Sequence, residues 1–360
     1  MFFYLSKYFT GHAVSTLTSR HVGKMDDLKE INQSLPNFEY HLNKKIKLPN
    51  ILRIIHYNLF YLRKGLQLHR QKKFDAIVVN SPYLPGIVGW ILKLITGAKL
   101  IIEIQTHPTK FYSESEKELK ITTKFFLAAA KIIAPFVLNR ADVIKTLHPG
   151  QLQDLTKLKP ISEYTFPDFV PINIVNQSAN QSFDEKYVLL LGTPWYLKGV
   201  DILIQSWNQI HKQFPEYQLR IVGKCDDKSY FEKLSKGNKS IKLMDPVPNK
   251  IAHDLIAKCS VYVNASRTEG VPRVLMESMS IGKPIIATNV GGNSTLIKHQ
   301  ETGILIQPNN ITELSNALSL LLNQPNISKQ YGENAKRHIF KISSEETFAT
   351  NYYNLVESLF

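Results

Sequence analysis

A chain of 360 residues is long enough for two domains, each burying its own core. With 43% hydrophobic and 21% charged residues it is not of the disordered class. Its two cysteines, Cys225 and Cys259, build neither a disulfide framework nor a metal cluster, which suits a reducing, cytoplasmic compartment. A net charge of +14 suits phosphorylated substrates or an anionic membrane surface, whereas the basic residues are too scattered, and too far from any known module signature, for nucleic acid to be expected.

The opening MFFYLSKYFTGH has no basic region ahead of its short apolar run and no clear cleavage site, so it does not read as a signal peptide. Phe2 to Phe9 fit a helix leading into the turn at Gly11-His12, and residues 13–17 (AVSTL) read as a strand. Residues 51–70 form an amphipathic pattern with Ile51, Ile54, Ile55, Leu59 and Leu62 on one side. Residues 74–79 (FDAIVV) read as a buried strand, residues 86–95 as a helix closed by Gly97, and residues 100–104 (LIIEI) as the next strand. That strand ends in Gln105-Thr106-His107-Pro108. Residues 115–139 are helical in pattern, and within them FFLAAAKIIAPFVL (125–138) suits either a core helix or one lying in a membrane interface. No uninterrupted apolar run reaches ~18 residues, so a membrane-spanning helix is not expected. A short strand at 141–145 completes a βαβ rhythm that predicts a doubly wound parallel sheet.

From 166 to 186 the texture changes to two prolines and a polar Asn/Gln/Ser tract, which divides the chain into domains 1–170 and 187–340 around a linker at 171–186. The βα rhythm then restarts. Strands are expected at 187–191, 218–222 and 240–244, with helices at 201–213, 228–236 and 249–258 between and after them. Lys198 follows a glycine-opened loop and precedes Gly199 and a helix, so its ammonium either reaches an anion at that helix start or is simply solvated. Gly223 ends the next strand, where a backbone can approach a ligand closely. The densest stretch is 261–292, VYVNASRTEGVPRVLMESMSIGKPIIATNVGG: strand, loop, helix and strand. Pro272 suits the first helical position, and Gly282 with Pro284 ends the helix. Glu269 lies before that helix, where an open α/β sheet binds anions, and Glu277 lies inside it, where a carboxylate among Leu275, Met276 and Met279 needs partners.

LLLGTPWYLKGVDILIQSW, LRIVGK, SRTEGVPRVLMESMSIGKPIIATNVGG and ETGILIQP occur in the order and spacing of the retaining glycosyltransferases of family 4, which the second half resembles over residues 187–308. GHAVSTLTSR, FDAIVVNSP, GAKLIIEI and the segment at 140–144 extend a weaker likeness into the first half. The resemblance implies the α/β GT-B fold, two Rossmann-like domains facing each other across a cleft. It also implies transfer of a sugar from a nucleotide-diphosphate donor, with retention of configuration, to a saccharide or lipid-linked acceptor in polysaccharide or glycoconjugate assembly. No cofactor is implied. By matching position, Glu269 would bond the donor sugar, Glu277 the ribose, and Lys198 the diphosphate, which makes Lys198 and Glu269 the catalytic candidates. Gly192, Thr193, Gly223, Ser266, Gly270, Val271, Pro272, Arg273, Gln105 and His107 complete the expected substrate site. The N–H groups of Gly270, Val271 and Arg273 can meet developing negative charge; Pro272 has none. The chain has no Asp-x-Asp motif, which fits metal-independent departure, and no metal site is expected. The rivals are an epimerase of the same fold and a non-catalytic protein binding nucleotide sugar or a membrane surface.

Departures from the family pattern are specific. Thr193 stands where an arginine is common, so Arg273 or Arg267 would have to compensate, and Thr295 stands where a glutamate is common. His107 comes two residues after Gln105 rather than directly after the strand, and no general base is assigned. The family's first domain opens with a strand, a glycine-rich loop and a helix before its Gly-His strand. Here Gly11-His12 comes too early for that connection, so the first strand and its loop are expected to be missing. The last helix, 345–359, is expected to cross back to the N-terminal domain, with possible peripheral attachment of the protein to the inner face of the membrane.

Overall fold

The computed structural model describes residues 2–16, 32–33, 35, 37–43, 47–110, 121–153, 155, 158–159, 162–170, 185–225 and 227–360. Helix α1 (Phe2–Leu5) is shorter than expected and ends in a turn, with the amides of Tyr8 and Phe9 both donating to the Leu5 carbonyl. Strands β1 (Gly11–Thr16) and β2 (Phe38–Asn43) follow and pair in parallel, Gly11 opposite Phe38. Among the described residues no strand precedes β1.

Next come α2 (Asn50–Gln71), β3 (Ala76–Val79), α3 (Leu84–Thr96), β4 (Lys99–Glu103), α4 (Ile121–Leu138), β5 (Val143–Thr146) and β6 (Ser162–Thr165). The last four strands form a parallel sheet in the order β3-β4-β5-β6, and β1-β2 is a ladder of its own. Strand β4 is buried on both faces. Leu100 and Ile102 pack with Val137, Leu138 and Ile144, while Ile101 points the other way, to Val143 and Phe166. Strand β3 was expected to be buried, yet Val78 is 42% exposed. Among the described residues it is the end strand of its sheet. The apolar side read for α2 is likewise open, with Ile54, Ile55 and Leu59 exposed. Helix α4 buries Ala130, Ala134, Val137 and Leu138 and leaves Ile121 86%, Phe125 70% and Ile132 74% exposed; against the expectation from sequence, its 18 residues are long and apolar enough to cross a membrane, by length and composition alone.

Residues 166–170 read as the start of a linker, but Phe166 and Val170 are buried in two different cores. The second half runs β7 (Tyr187–Leu191), α5 (Val200–Ile210), β8 (Gln218–Val222), α6 (Lys228–Leu234), β9 (Ile241–Met244), α7 (Asn249–Lys258), β10 (Val261–Asn264), α8 (Arg273–Ile281) and β11 (Ile285–Thr288). It ends with α9 (Asn293–Leu296), β12 (Ile304–Ile306), α10 (Ile311–Asn323), α11 (Pro325–Ile342) and α12 (Glu345–Glu357). Pro272 is the residue before α8 rather than its first, extended at φ −73 and ψ 117. All six strands are parallel, in the order β12-β11-β10-β7-β8-β9. From β7 the chain builds outward through β8 and β9, then returns to lay β10 on the other side of β7. The sheet order therefore reverses beside β7, and a crevice opens there between the loops at the carboxyl ends of the two strands. Helix α12 leaves this domain and buries Phe348, Ala349, Tyr352 and Leu355 with Ile101, Val143 and Phe166.

Candidate functional site

Val261 lies opposite Val188 and Tyr262 opposite Leu189, so the loops that leave β7 and β10 are neighbours. This register brings together two side chains 71 positions apart: Lys198 Nζ is 2.6 Å from Glu269 Oε1. Ser266 Oγ donates to the same oxygen at 2.6 Å and Asn264 Nδ2 at 3.2 Å. Three donors thus converge on Oε1. The support behind them is fully buried. Thr288 Oγ1 donates to the Ser266 carbonyl at 2.6 Å, and Asn293 Nδ2 donates to the Thr288 carbonyl at 2.9 Å and to Asn264 Oδ1 at 3.3 Å. A carboxylate and an ammonium held this way form a preorganised charged pair at the floor of the crevice.

Close packing of the loops sets the pair. Gly199 adopts φ 65 ahead of α5, and a Cβ there would fall 2.0 Å from the Ala265 carbonyl oxygen, so only glycine lets the two loops touch. The stem of Lys198 lies over Gly192, and Gly223 lies over the Gly192 carbonyl. Thr193 Oγ1 accepts from the Lys224 amide at 2.8 Å and so fastens the β7 loop to the β8 loop. Across the cleft, a Cβ on Gly270 would stand 2.1 Å from the Gln105 carbonyl oxygen, a close approach of the two halves. His107, also on the N-terminal side, is buried. Its Nδ1 accepts from the amides of Lys110 at 3.1 Å and Thr109 at 3.3 Å, which puts the ring proton on Nε2.

Two arginines separate in role. Arg267 was a candidate to replace the cation missing at Thr193, but it is committed elsewhere. Its NH1 and NH2 reach the two oxygens of Asp201 at 2.9 and 2.7 Å, its guanidinium lies 3.9 Å over the Tyr196 ring, and it donates to the Tyr196 carbonyl. Burial opposes its charge, yet Asp201 outweighs burial and raises its pKa. Arg273 stays available: its side chain is 72% exposed, with Nε 3.1 Å from Glu277 Oε1. Glu277 is buried, as its helix requires, and its second oxygen faces His253 Nε2 at 3.5 Å. Tyr262, on β10, ties the two acids to one place. Burial first, then the charges of Glu269 and Glu277, push its hydroxyl well above the ordinary tyrosine range.

A family model for glycosyl transferases group 1 matches residues 174–338. An uncharacterised glycosyltransferase of Methanocaldococcus jannaschii is 32% identical over 337 residues, covering 90% of this chain and 89% of the relative. The chain belongs to the group 1 glycosyltransferases. An uncharacterised glycosyltransferase of Haemophilus influenzae is 30% identical over 170 residues, a match that spans 46% of this chain and about half, 48%, of that relative. Anabaena HepE, solved in complex with UDP and glucose, superposes with a TM-score of 0.72 at 16% identity, over 98% of this chain and 100% of that one. The fold is GT-B.

Within this glycosyltransferase the loop residues read from sequence, Gly192, Thr193, Lys198, Gly223, Ser266, Glu269 and Gly270, gather at the β7/β10 crevice. Val271, Pro272 and Arg273 carry its rim into α8, and Gln105 faces it from the other half. Asn264, Thr288, Asn293 and His253 were not singled out from sequence. Asn264 and Thr288 had a signal, since each is the polar last residue of an otherwise apolar parallel strand.

Proposed function

We propose that the chain transfers a sugar from a nucleotide-diphosphate donor to a saccharide or lipid-linked acceptor, with retention of configuration and without a metal at the reacting centre. The observation that carries this reading is the Lys198–Glu269 pair at 2.6 Å, set where the strand order reverses. HepE, with the same fold, was solved with UDP and glucose, which supports a nucleotide-sugar donor. As the anomeric bond breaks, negative charge grows on the departing diphosphate. Lys198 is the fixed cation for it, helped by the N–H groups of Gly270, Val271 and Arg273 and by the exposed guanidinium of Arg273. Glu269 takes a hydroxyl of the sugar, and Glu277, braced by Arg273 and His253, takes the ribose. On binding, the donor exchanges partners within a pair that is already assembled, so little has to be reorganised.

The acceptor side carries an apolar face. Ile121, Phe125, Phe126 and Ile132 of α4 and Leu94 and Ile95 of α3 are exposed, with Lys124 and Lys131 among them. On α4 itself Ile121, Phe125 and Ile132 recur at helical spacing on one face, and anionic lipid suits both that face and the lysines. This favours a lipid-linked acceptor and a cytoplasmic protein held at a membrane surface, working in polysaccharide or glycoconjugate assembly.

The decisive experiment incubates the protein with a panel of nucleotide sugars and follows nucleoside diphosphate release with and without acceptor. Acceptor-dependent release is expected, and Lys198→Ala and Glu269→Ala should each lower it by ~10²–10³-fold. Turnover of donor with no acceptor would indicate an epimerase. Donor binding without turnover would indicate a binding protein.

A further inference from the structure

The β1–β2 ladder carries a second constellation, unrelated to the crevice. His12 stands opposite Glu39 in the ladder, and His41 lies two residues further along β2. Strand alternation therefore puts all three side chains on one face. Their donor atoms converge. His12 Nδ1 and His41 Nε2 are 3.1 Å apart, and Glu39 Oε2 is 3.5 Å from the first and 3.6 Å from the second.

A hydrogen bond between the two rings accounts for only one of these contacts. It uses a single proton and leaves the carboxylate oxygen beyond ordinary hydrogen-bond reach of both nitrogens. A metal ion at the centre accounts for all three. Ligands at ~2.0–2.1 Å from a tetrahedral Zn²⁺ lie about 3.3 Å from one another. The three donors already stand at roughly that spacing, like three corners of a tetrahedron. Imidazole nitrogens with one carboxylate are also a donor set that Zn²⁺ takes readily.

We propose that His12, Glu39 and His41 form a zinc site, with the fourth corner open to water. All three side chains remain partly open to solvent, so an ion can enter. The site's role follows from the topology. Among the described residues the ladder shares no hydrogen bonds with the four-stranded sheet, and it is held by packing alone, Phe38 lying against the core around Phe348 and Tyr352. An ion bridging His12 and His41 closes a loop between positions 29 apart and fixes the register of the ladder. The role is structural, and it leaves the reaction at Lys198 and Glu269 as described.

The test uses the full chain, stripped with a chelator and titrated with Zn²⁺ by calorimetry and with Co²⁺ by visible absorption. One equivalent of Zn²⁺, the intense visible bands of a tetrahedral Co²⁺ site, and a rise in Tm of about 5 °C at saturating Zn²⁺ are expected. Glu39→Gln keeps the shape of the side chain and should weaken binding at least ~10-fold, a loss seen even for outer-sphere changes. The His12→Ala/His41→Ala double variant should bind none, while His211→Ala in the other half should match the wild type. Absence of zinc uptake by the wild-type chain, or uptake unchanged in the double variant, overturns the site. Should the double variant not fold by circular dichroism, wild-type affinity in Glu39→Gln overturns it equally.

Discussion

Glu103 closes strand β4 with only 2% of its surface exposed, and burial holds its pKa above the ordinary carboxylate range against the opposing pull of Lys145 and Tyr352. Lys145 cannot neutralise it fully, because its ammonium is bound to Asp168 at 3.1 Å and sits 4.8 Å from the Phe166 ring centre. A folded pKa raised above the unfolded one means that the fold prefers the protonated acid. That contribution is complete below the unfolded pKa and is lost as pH rises through the folded one. Glu103→Gln keeps the shape without the charge, so it should raise Tm at pH 8 and leave it nearly unchanged near pH 4; an equal change at both pH values would contradict this. The buried acid was invisible in the sequence, where it sits in an apolar strand and looks like an outward-facing residue. Lys198 and Glu269 were legible for the opposite reason: each follows a strand end within a local motif. That they touch was not legible, because it depends on the order of strands in the sheet.

At the scale of elements, the Arg267–Asp201 pair clamps the first turn of α5 to the loop after β10, with both side chains largely buried. Removing one partner strands the other charge. Arg267→Ala should therefore cost ~3–5 kcal/mol of unfolding free energy, read from the denaturant midpoint. Arg267→Lys should recover only part of it, since lysine cannot make the two-pronged contact. A loss below about 1 kcal/mol for Arg267→Ala would mean that the clamp is not structural. Sequence alone left Arg267 as a spare cation because nothing local tells a loop arginine with a distant carboxylate from one without. The same limit explains the strands. β4, with the apolar centre Leu100-Ile101-Ile102 and buried on both faces, was read within a residue, whereas β6 (SEYT) is an exposed edge strand with no apolar pattern, and β2 mixes His, Glu and Asn with its apolar residues. α4 was legible as a helix, but not for which side it buries, because it is apolar all round.

At the scale of the whole molecule, the contacts that tie the halves together include Gly270 against the Gln105 carbonyl, Val170 in the core of the second half, and α12 in the core with β4 and β5. These contacts join the half that holds the β7 and β10 loops to the half that holds α4, and the proposed membrane contact would present a lipid-linked acceptor to the cleft between them. The wild-type chain should pellet with anionic phospholipid vesicles, and less so at high salt, as counterions screen Lys124, Lys131 and the net charge of +14. Burying one large apolar side chain is worth ~1.5–3 kcal/mol, so Phe125→Ser with Ile132→Ser should cut vesicle partitioning by at least ~10-fold. Both side chains are exposed in the fold, so Tm and turnover of a soluble acceptor analogue should hold, while turnover of a vesicle-borne acceptor should fall with binding. Failure of the wild type to pellet would remove the membrane from the account and favour a soluble saccharide as the acceptor, and partitioning of the double variant equal to a bound wild type would remove α4 as the contact, with the Lys198–Glu269 site unaffected in either case.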